Sequence, residues 1–104
     1  MANPYQRPRS MALYEAIAKL QTVEECCQFF DDLCTVTELR ALEQRYDVAV
    51  LLHKGRVYTD IMQEVNASSA TISRVKRMLN LGTGRLVASI EQAEKEKEKE
   101  ETNG

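Results

Sequence analysis

Apolar residues recur at helical spacing from the start of the chain. Three apolar positions, four and three residues apart, predict a first helix with Ser10 at its N-cap: Leu13, Ile17 and Leu20. Thr22 followed by Glu25 has the spacing of a capping box, which predicts the start of a second helix. One side of that helix is apolar: Val23, Cys26, Phe29, Phe30 and Leu33. The pattern therefore predicts two amphipathic helices before residue 35.

A third predicted helix runs from an N-cap at Thr37 to Lys54, and Gly55 ends it. Its apolar residues cover most of its circumference: Leu39, Leu42, Tyr46, Val48, Ala49, Val50 and Leu52. A chain of 104 residues has too little material to cover so wide an apolar surface alone. We therefore expect other helices to enclose this one in part, and the chain to form a dimer.

Shorter elements follow Gly55. A helix of about two turns is predicted from Tyr58 or Thr59, and Asn66, which tolerates a left-handed backbone, ends it. Ser68 or Ser69 caps the next helix, which ends at two glycines. The residues expected to point inward are Ile61, Met62 and Val65 on the first helix and Ile72, Val75, Met78 and Leu79 on the second.

The two ends of the chain lack this periodicity. Residues 1–9 contain Pro4 and Pro8 and are predicted to form a flexible arm before a helical domain over residues 10–93. A last helix begins near Leu86, but no apolar stripe continues into the Glu/Lys-rich residues 94–104, which are predicted to be frayed or disordered. No segment alternates as a strand does, so the predicted fold is all-α with about six helices.

Charge is distributed unevenly. Taken alone, the net charge of −2 argues against a nucleic-acid partner. However, Asn66 to Ile90 contains no Asp or Glu, and its basic residues are Arg74, Lys76, Arg77 and Arg85. A basic surface is therefore combined with an acidic C-terminal segment.

Residues 58–79 have the pattern of a helix-turn-helix motif. A short helix, a break at Asn66-Ala67-Ser68 and a second helix follow one another, and small residues allow the helices to approach closely. The second helix of such a motif enters the major groove, where polar side chains meet base edges and cations hold phosphates. The candidate DNA-binding residues are Ser68, Ser69, Thr71, Ser73, Arg74, Lys76 and Arg77. A helical hairpin with a solvated basic face is the structural alternative.

A set of residues in the middle of the chain carries a family pattern: Ala41-Leu42, Arg45, Leu52, Gly55, Ile61, Val65, Ala67 and the run Ala70-Thr71-Ile72-Ser73-Arg74. This pattern resembles the Trp repressor superfamily, and the whole chain, between about Met11 and Ile90, resembles its YerC/YecD branch. The resemblance implies an intertwined homodimer whose N-terminal helices interlock and whose two recognition helices enter successive major grooves.

The resemblance also implies a small-molecule corepressor site. In Trp repressors two arginines hold the corepressor, and Arg45 and Arg74 occupy those positions here. Val75 stands where the family has glycine, and the turn after Gly55 is one residue shorter. This extra bulk argues against tryptophan as the ligand, so an unknown ligand and ligand-independent DNA binding both stay open.

Other functional classes find little support in the sequence. Three cysteines and one histidine, without a C-x-x-C pair, predict neither a metal site nor a cofactor. Polar residues such as Glu38, Glu43 and His53 form no nucleophile–base pattern, so no catalytic residue is expected. The longest apolar run, residues 48–52, is too short to span a membrane.

We therefore predict a cytoplasmic, non-enzymatic, sequence-specific DNA-binding transcriptional regulator, acting as a repressor. Its expected partners are double-stranded DNA and a second copy of the chain. The alternative is a helical protein-interaction module that uses residues 48–52 and the Phe29-Phe30 pair and does not bind DNA.

Overall fold

The structure is a computed structural model that describes residues 7–103, without the side chain of Asn103. The first six residues of the expected N-terminal arm lie outside this range. The described residues form six helices and no strand, which confirms the all-α prediction. The helices are α1 (Met11–Ala18), α2 (Val23–Leu33), α3 (Val36–His53), α4 (Tyr58–Val65), α5 (Ser69–Leu81) and α6 (Arg85–Asn103).

The chain folds as two compact units that divide within α3, between Ala41 and Leu42. In the first unit, neither α1 nor α2 has a buried residue. The Thr22 hydroxyl accepts a hydrogen bond from the Glu25 amide at 3.0 Å, as the capping pattern predicts. Within α2 the rings of Phe29 and Phe30 meet edge to face, with centroids 5.5 Å apart. The apolar stripes of this unit are thus formed, but none of their residues is fully buried.

The start of α3 differs from the prediction by two residues. The helix begins at Val36, and its capping residue is Thr35 rather than Thr37. The Thr35 amide donates to Glu38 Oε1 at 2.8 Å, and the Glu38 amide donates to Thr35 Oγ1 at 3.1 Å. Thr35 and Glu38 therefore form a reciprocal capping box, in which both helix-end amides are satisfied. The backbone and side-chain hydrogen bonds from Thr35 lower the pKa of Glu38 below its ordinary value.

The second unit has one small apolar core. Its buried residues come from α3, α4, the following turn, α5 and α6: Val48, Ala49, Leu51, Ile61, Ala67, Ile72, Val75 and Ile90. Each fully buried Ile or Val side chain contributes about 1.5–3 kcal/mol relative to exposure. This core attaches the α4–α5 pair to the end of α3 and to the first turns of α6.

Gly55 ends α3 as predicted, one residue after Lys54. Its φ of 82° is a left-handed value that favours glycine. The Gly55 amide donates to the Leu52 carbonyl at 3.0 Å, and the Arg56 amide donates to the Leu51 carbonyl at 3.1 Å. These two bonds give the helix end a Schellman-type closure and direct the chain toward α4.

Two glycines form the joint between α5 and α6. A Cβ on Gly82 would lie 2.9 Å from the Met78 carbonyl oxygen, which is too close for any other residue without a backbone shift. Gly84 has a φ of 89°, again in the left-handed region. The joint therefore requires glycine at one position for space and at the other for backbone conformation.

The C-terminal segment differs from the expectation of a frayed or disordered tail, because α6 continues through it to Asn103. Glu and Lys have high helix propensity, and their alternation places opposite charges three residues apart, as in Glu94 and Lys97. Helix formation here thus rests on local propensity. Glu94 is half-buried, whereas residues 95–102 are exposed.

Candidate nucleic-acid interface

Helices α4 and α5 and the three residues between them form the predicted helix-turn-helix motif. Asn66 has φ 52° and ψ 45°, the left-handed conformation expected for the end of α4. Ser68, one of the two serines predicted for this position, is the N-cap of α5. The local turn chemistry therefore sets where α4 stops and where α5 starts.

Apolar contacts fix the angle between the two helices. Ile61 on α4 and Ile72 and Val75 on α5 are buried, and Ala67 in the turn is 5% exposed. Met62 was expected to point inward but is 39% exposed, because it lies about 100° around the helix from Ile61. The core contact of α4 is therefore narrower than the sequence pattern predicted.

A polar side chain on α3 also contacts the turn. Gln44 Nε2 donates to the backbone carbonyl of Asn66 at 3.1 Å and to that of Val65 at 3.4 Å. These carbonyls lie at the C-terminal end of α4, where helix carbonyls lack partners within the helix. Sequence reasoning did not identify Gln44 as a motif residue; its only signal is a polar amide on a largely apolar helix.

The N-terminus of α5 is closed by Ser68 and Thr71. Ser68 Oγ accepts from the Thr71 amide at 3.1 Å and donates to Thr71 Oγ1 at 3.0 Å. Thr71 is half-buried, so the structure places this candidate DNA-binding residue in the cap rather than on the outermost face. The amides of Ser69 and Ala70 have no acceptor within the helix and point out of its N-terminus, toward the side an anion would approach.

The outward face of α5 carries the exposed residues Ala70, Ser73, Arg74 and Arg77. At about 100° per residue they lie opposite the buried Ile72 and Val75. Ala70 was not among the predicted contacts, and its signal is a small apolar side chain at an exposed position next to the helix start. We refer to these four residues, together with the exposed Ser69, as the outer face of α5.

Lys76 lies away from the outer face. Its Nζ is 5.9 Å from the ring centroid of Tyr58 at the start of α4, a cation–π distance. Lys76 and Arg74 are separated by about 160° around the helix axis. The structure therefore brings Arg74 and Arg77 together but places Lys76 on a flank of the helix.

Within residues 7–103, no three His, Cys, Asp or Glu side chains form a group that could hold a metal ion. None of the described helices combines the length and apolar character needed to cross a membrane. Cys26, Cys27 and Cys34 are free thiols.

Comparison with known proteins agrees with this geometry. The family profile described as Trp repressor protein matches residues 10–99. The chain belongs to the Trp repressor family. It is 53% identical over 70 residues to the uncharacterized protein YerC of Bacillus subtilis, and this aligned region covers 67% of each sequence.

Two crystal structures of Trp repressor-type proteins have the same fold. A candidate Trp repressor from Staphylococcus aureus is 43% identical, with a TM-score of 0.82 over 89% of this chain and 96% of that one. A TrpR-like protein from Eubacterium eligens is 41% identical, with a TM-score of 0.76 over 80% of this chain and 86% of that one. The resemblance inferred from residues 41–74 is thereby confirmed.

The residues expected to hold a corepressor are both exposed. Arg45 lies on α3 and Arg74 on α5, both in the second unit. Val75, where Trp repressors have glycine, is 3% exposed and belongs to the core. This position of the chain is thus used for packing.

Proposed function

We propose that the protein is a sequence-specific DNA-binding transcriptional regulator that acts as a repressor in the cytoplasm. The observation that supports this most directly is the outer face of α5. It presents Arg74 and Arg77 beside the N-terminus of α5, where the Ser69 and Ala70 amides lack an acceptor within the helix, in a segment without Asp or Glu from Asn66 to Ile90. Trp repressor-type proteins are regulators rather than enzymes, in agreement with this proposal.

The proposal divides the outer face by chemistry. Arg74 and Arg77 contact phosphates, because guanidinium groups match phosphate oxygens in charge and geometry. Ser69, Ala70 and Ser73 lie toward the helix start and meet base edges, where a hydroxyl contacts polar groups and an alanine methyl fits a thymine methyl. Ser68 and Thr71 cap the start of α5 and remain candidates for contacts with the DNA sugar–phosphate backbone.

DNA recognition of this kind requires a second copy of the chain in this proposal. Apolar side chains of the first unit are widely exposed, including Val23 at 82%, Val36 at 63% and Leu33 at 55%. Exposed apolar surface on this scale marks an interaction site. A second chain that covers α1 and α2 would also supply the second recognition helix for a two-fold symmetric operator.

A small-molecule corepressor is a separate part of the proposal. Arg45 and Arg74 are proposed to hold the carboxylate of a small corepressor, and the burial of Val75 argues against tryptophan in that role. The ligand's identity does not affect the DNA proposal, because the outer face of α5 does not depend on it.

Selection of bound sequences from random duplex DNA tests the proposal. The expected product is a two-fold symmetric site whose half-sites lie about 34–36 Å apart, or one helical turn. Repeating the selection with Ser73→Ala should change the preferred base at one position of each half-site, at a cost of about 1–3 kcal/mol. No enrichment, together with equal weak binding of all sequences, would leave the protein-interaction module as the better explanation.

A further inference from the structure

Helix α4 is attached to the rest of the motif mainly at its centre and at its C-terminal end. The structure describes all of its residues, and among them Ile61 is the buried one. At the C-terminal end, Gln44 donates to the Val65 and Asn66 carbonyls. A contact at the N-terminal end of α4 would add to this packing in fixing the angle between α4 and α5, because it acts farther from the turn.

Tyr58 and Lys76 form such a contact. Tyr58 is the first residue of the 8-residue helix α4, and Lys76 is the eighth residue of α5, counted from Ser69. The Lys76 Nζ lies 5.9 Å from the centroid of the Tyr58 ring. At a rise of about 1.5 Å per residue, each of the two residues is about 12 Å along its helix from the turn. The contact therefore joins corresponding points on the two helices.

The distance of this contact from the turn determines how closely it restrains the angle. With two arms of about 12 Å, holding Tyr58 and Lys76 to within about 1 Å of each other's position fixes the angle to within about 5°. The same tolerance at a contact closer to the turn allows a wider range of angles. The pair is thus well placed to restrain α5 relative to α4.

The Lys76 ammonium has no competing carboxylate on its own helix. The positions three and four residues away along α5, where an ion pair would form, carry uncharged side chains: Ile72, Ser73, Leu79 and Asn80. The Tyr58 ring is half-buried and packs against the core of the second unit. It therefore offers the cation a fixed surface.

Lys76 does not lie on the outer face of α5, since it is about 160° from Arg74 around the helix axis. However, Ser73, Arg74 and Arg77 belong to the same helix, so a change in the α4–α5 angle moves them together. Hydrogen bonds to base edges form over a narrow range of distances, of about 2.7–3.2 Å between heavy atoms. Base contacts made by α5 would therefore be sensitive to this angle.

We propose that Lys76 and Tyr58 are positioning residues for DNA recognition. Their cation–π contact sets the angle at which α5 enters the major groove, and Lys76 acts through the Tyr58 ring rather than on a phosphate. This inference rests on the proposed function, because it takes α5 as the helix that reads DNA. The contact between the two side chains does not itself require DNA.

Lys76→Met keeps most of the side-chain length and removes the charge. It should weaken binding to the DNA site selected from random duplexes by about two- to fivefold, which corresponds to about 0.5–1 kcal/mol. Affinity for random-sequence DNA and the log–log salt slope should not change, because no phosphate contact is lost. Lys76→Arg keeps a cation and should restore the affinity. Lys95→Met, at an exposed lysine of α6, is the control that should change nothing.

A different result for Lys76→Met would overturn the proposal. If the salt slope flattens by roughly one unit and binding to both kinds of DNA weakens equally, Lys76 contacts a phosphate directly.

Substitution of Tyr58 tests the other side of the contact. Tyr58→Phe keeps an aromatic face and should bind the selected site as the unsubstituted protein does. Tyr58→Leu should weaken that binding, and adding Lys76→Met to it should cause no further loss, because the contact is already absent. Losses that simply add in the double variant would show that the two residues act separately and would contradict the proposal.

Urea denaturation of the same variants separates this inference from the proposed function. In the absence of DNA, the double-mutant cycle of Lys76→Met and Tyr58→Leu should show coupling between the two side chains. If the unsubstituted protein selects a DNA site but the cycle shows no coupling, the positioning role alone is wrong. If coupling is present but no DNA sequence is selected, the proposed function fails, and the role of the pair in DNA recognition fails with it.

Discussion

Gln44 on α3 and Asn66 at the end of α4 are joined by a hydrogen bond of 3.1 Å from the Gln44 amide to the Asn66 carbonyl. Asn66 is the one described non-glycine residue with a positive φ, and its conformation sets the direction in which the chain enters α5. The Gln44 side chain therefore links the turn of the helix-turn-helix motif to α3.

Gln44→Leu should lower stability and disturb DNA recognition together. The substitution leaves two turn carbonyls without their donor, at a cost of about 1 kcal/mol. Urea denaturation measures the stability, and DNA titration measures the change in affinity. Gln92→Leu removes only an exposed contact to Glu96 at 3.4 Å and is the control that should change neither.

Arg77→Ala should weaken binding to every DNA sequence about equally. A cation on a phosphate carries no sequence information, and losing one contact should flatten the log–log salt dependence by roughly one unit. Fluorescence anisotropy at several salt concentrations measures the slope. If the slope is the same as that of the unsubstituted protein, Arg77 does not contact a DNA phosphate.

Acid should remove the contribution of the capping box at α3. Hydrogen bonds from Thr35 lower the folded-state pKa of Glu38 below the ordinary 4.5, so this stability is present at neutral pH and is lost as pH falls through the lowered pKa. Thr35→Val keeps the backbone donor, which is the larger cause, and should raise the pKa of Glu38 only part of the way to 4.5. Carboxyl NMR titration measures both values, and a full return to 4.5 would contradict the assignment.

Val23→Glu should dissociate the proposed dimer. Val23 is 82% exposed in the single chain, so the change should be nearly neutral if α2 faces water and disruptive if a second chain covers it. Sedimentation should show a dimer constant weakened by more than about tenfold. Leu81→Glu, at a site 59% exposed on α5, should leave dimerisation intact. If the unsubstituted protein is folded and monomeric at micromolar concentration, the dimer proposal is wrong.

Deletion of the chain after Glu94 should remove helix without removing stability. Residues 95–102 are helical and exposed, so their loss should reduce the helical circular dichroism signal. The free energy of unfolding should change by less than about 0.5 kcal/mol, as for other exposed positions. A larger drop would show that this part of α6 packs against another chain.

Local signals made much of this fold predictable. The caps at Thr22 and Ser68 and the left-handed Asn66 are local features with steric or hydrogen-bonding causes, and the structure contains all three. The start of α3 was misplaced although Thr35 and Glu38 have capping-box spacing, because Thr37 offered a second hydroxyl nearby.

The remaining differences have two physical origins. Contacts between distant residues, such as Gln44 with Asn66 or Lys76 with Tyr58, depend on how helices pack and leave little trace in spacing. In the C-terminal segment, the absence of an apolar stripe predicts a frayed or disordered tail, but α6 continues through it because Glu and Lys have high helix propensity.

The joint between α5 and α6 separates two properties that usually go together, solvent exposure and tolerance to mutation. Gly82 and Gly84 are both exposed, yet one has no room for a methyl group and the other has a backbone conformation that disfavours side chains. A scan of all substitutions along the chain would thus find two intolerant positions on the open surface. Substitution in this protein is therefore constrained at an exposed joint as well as in its interior.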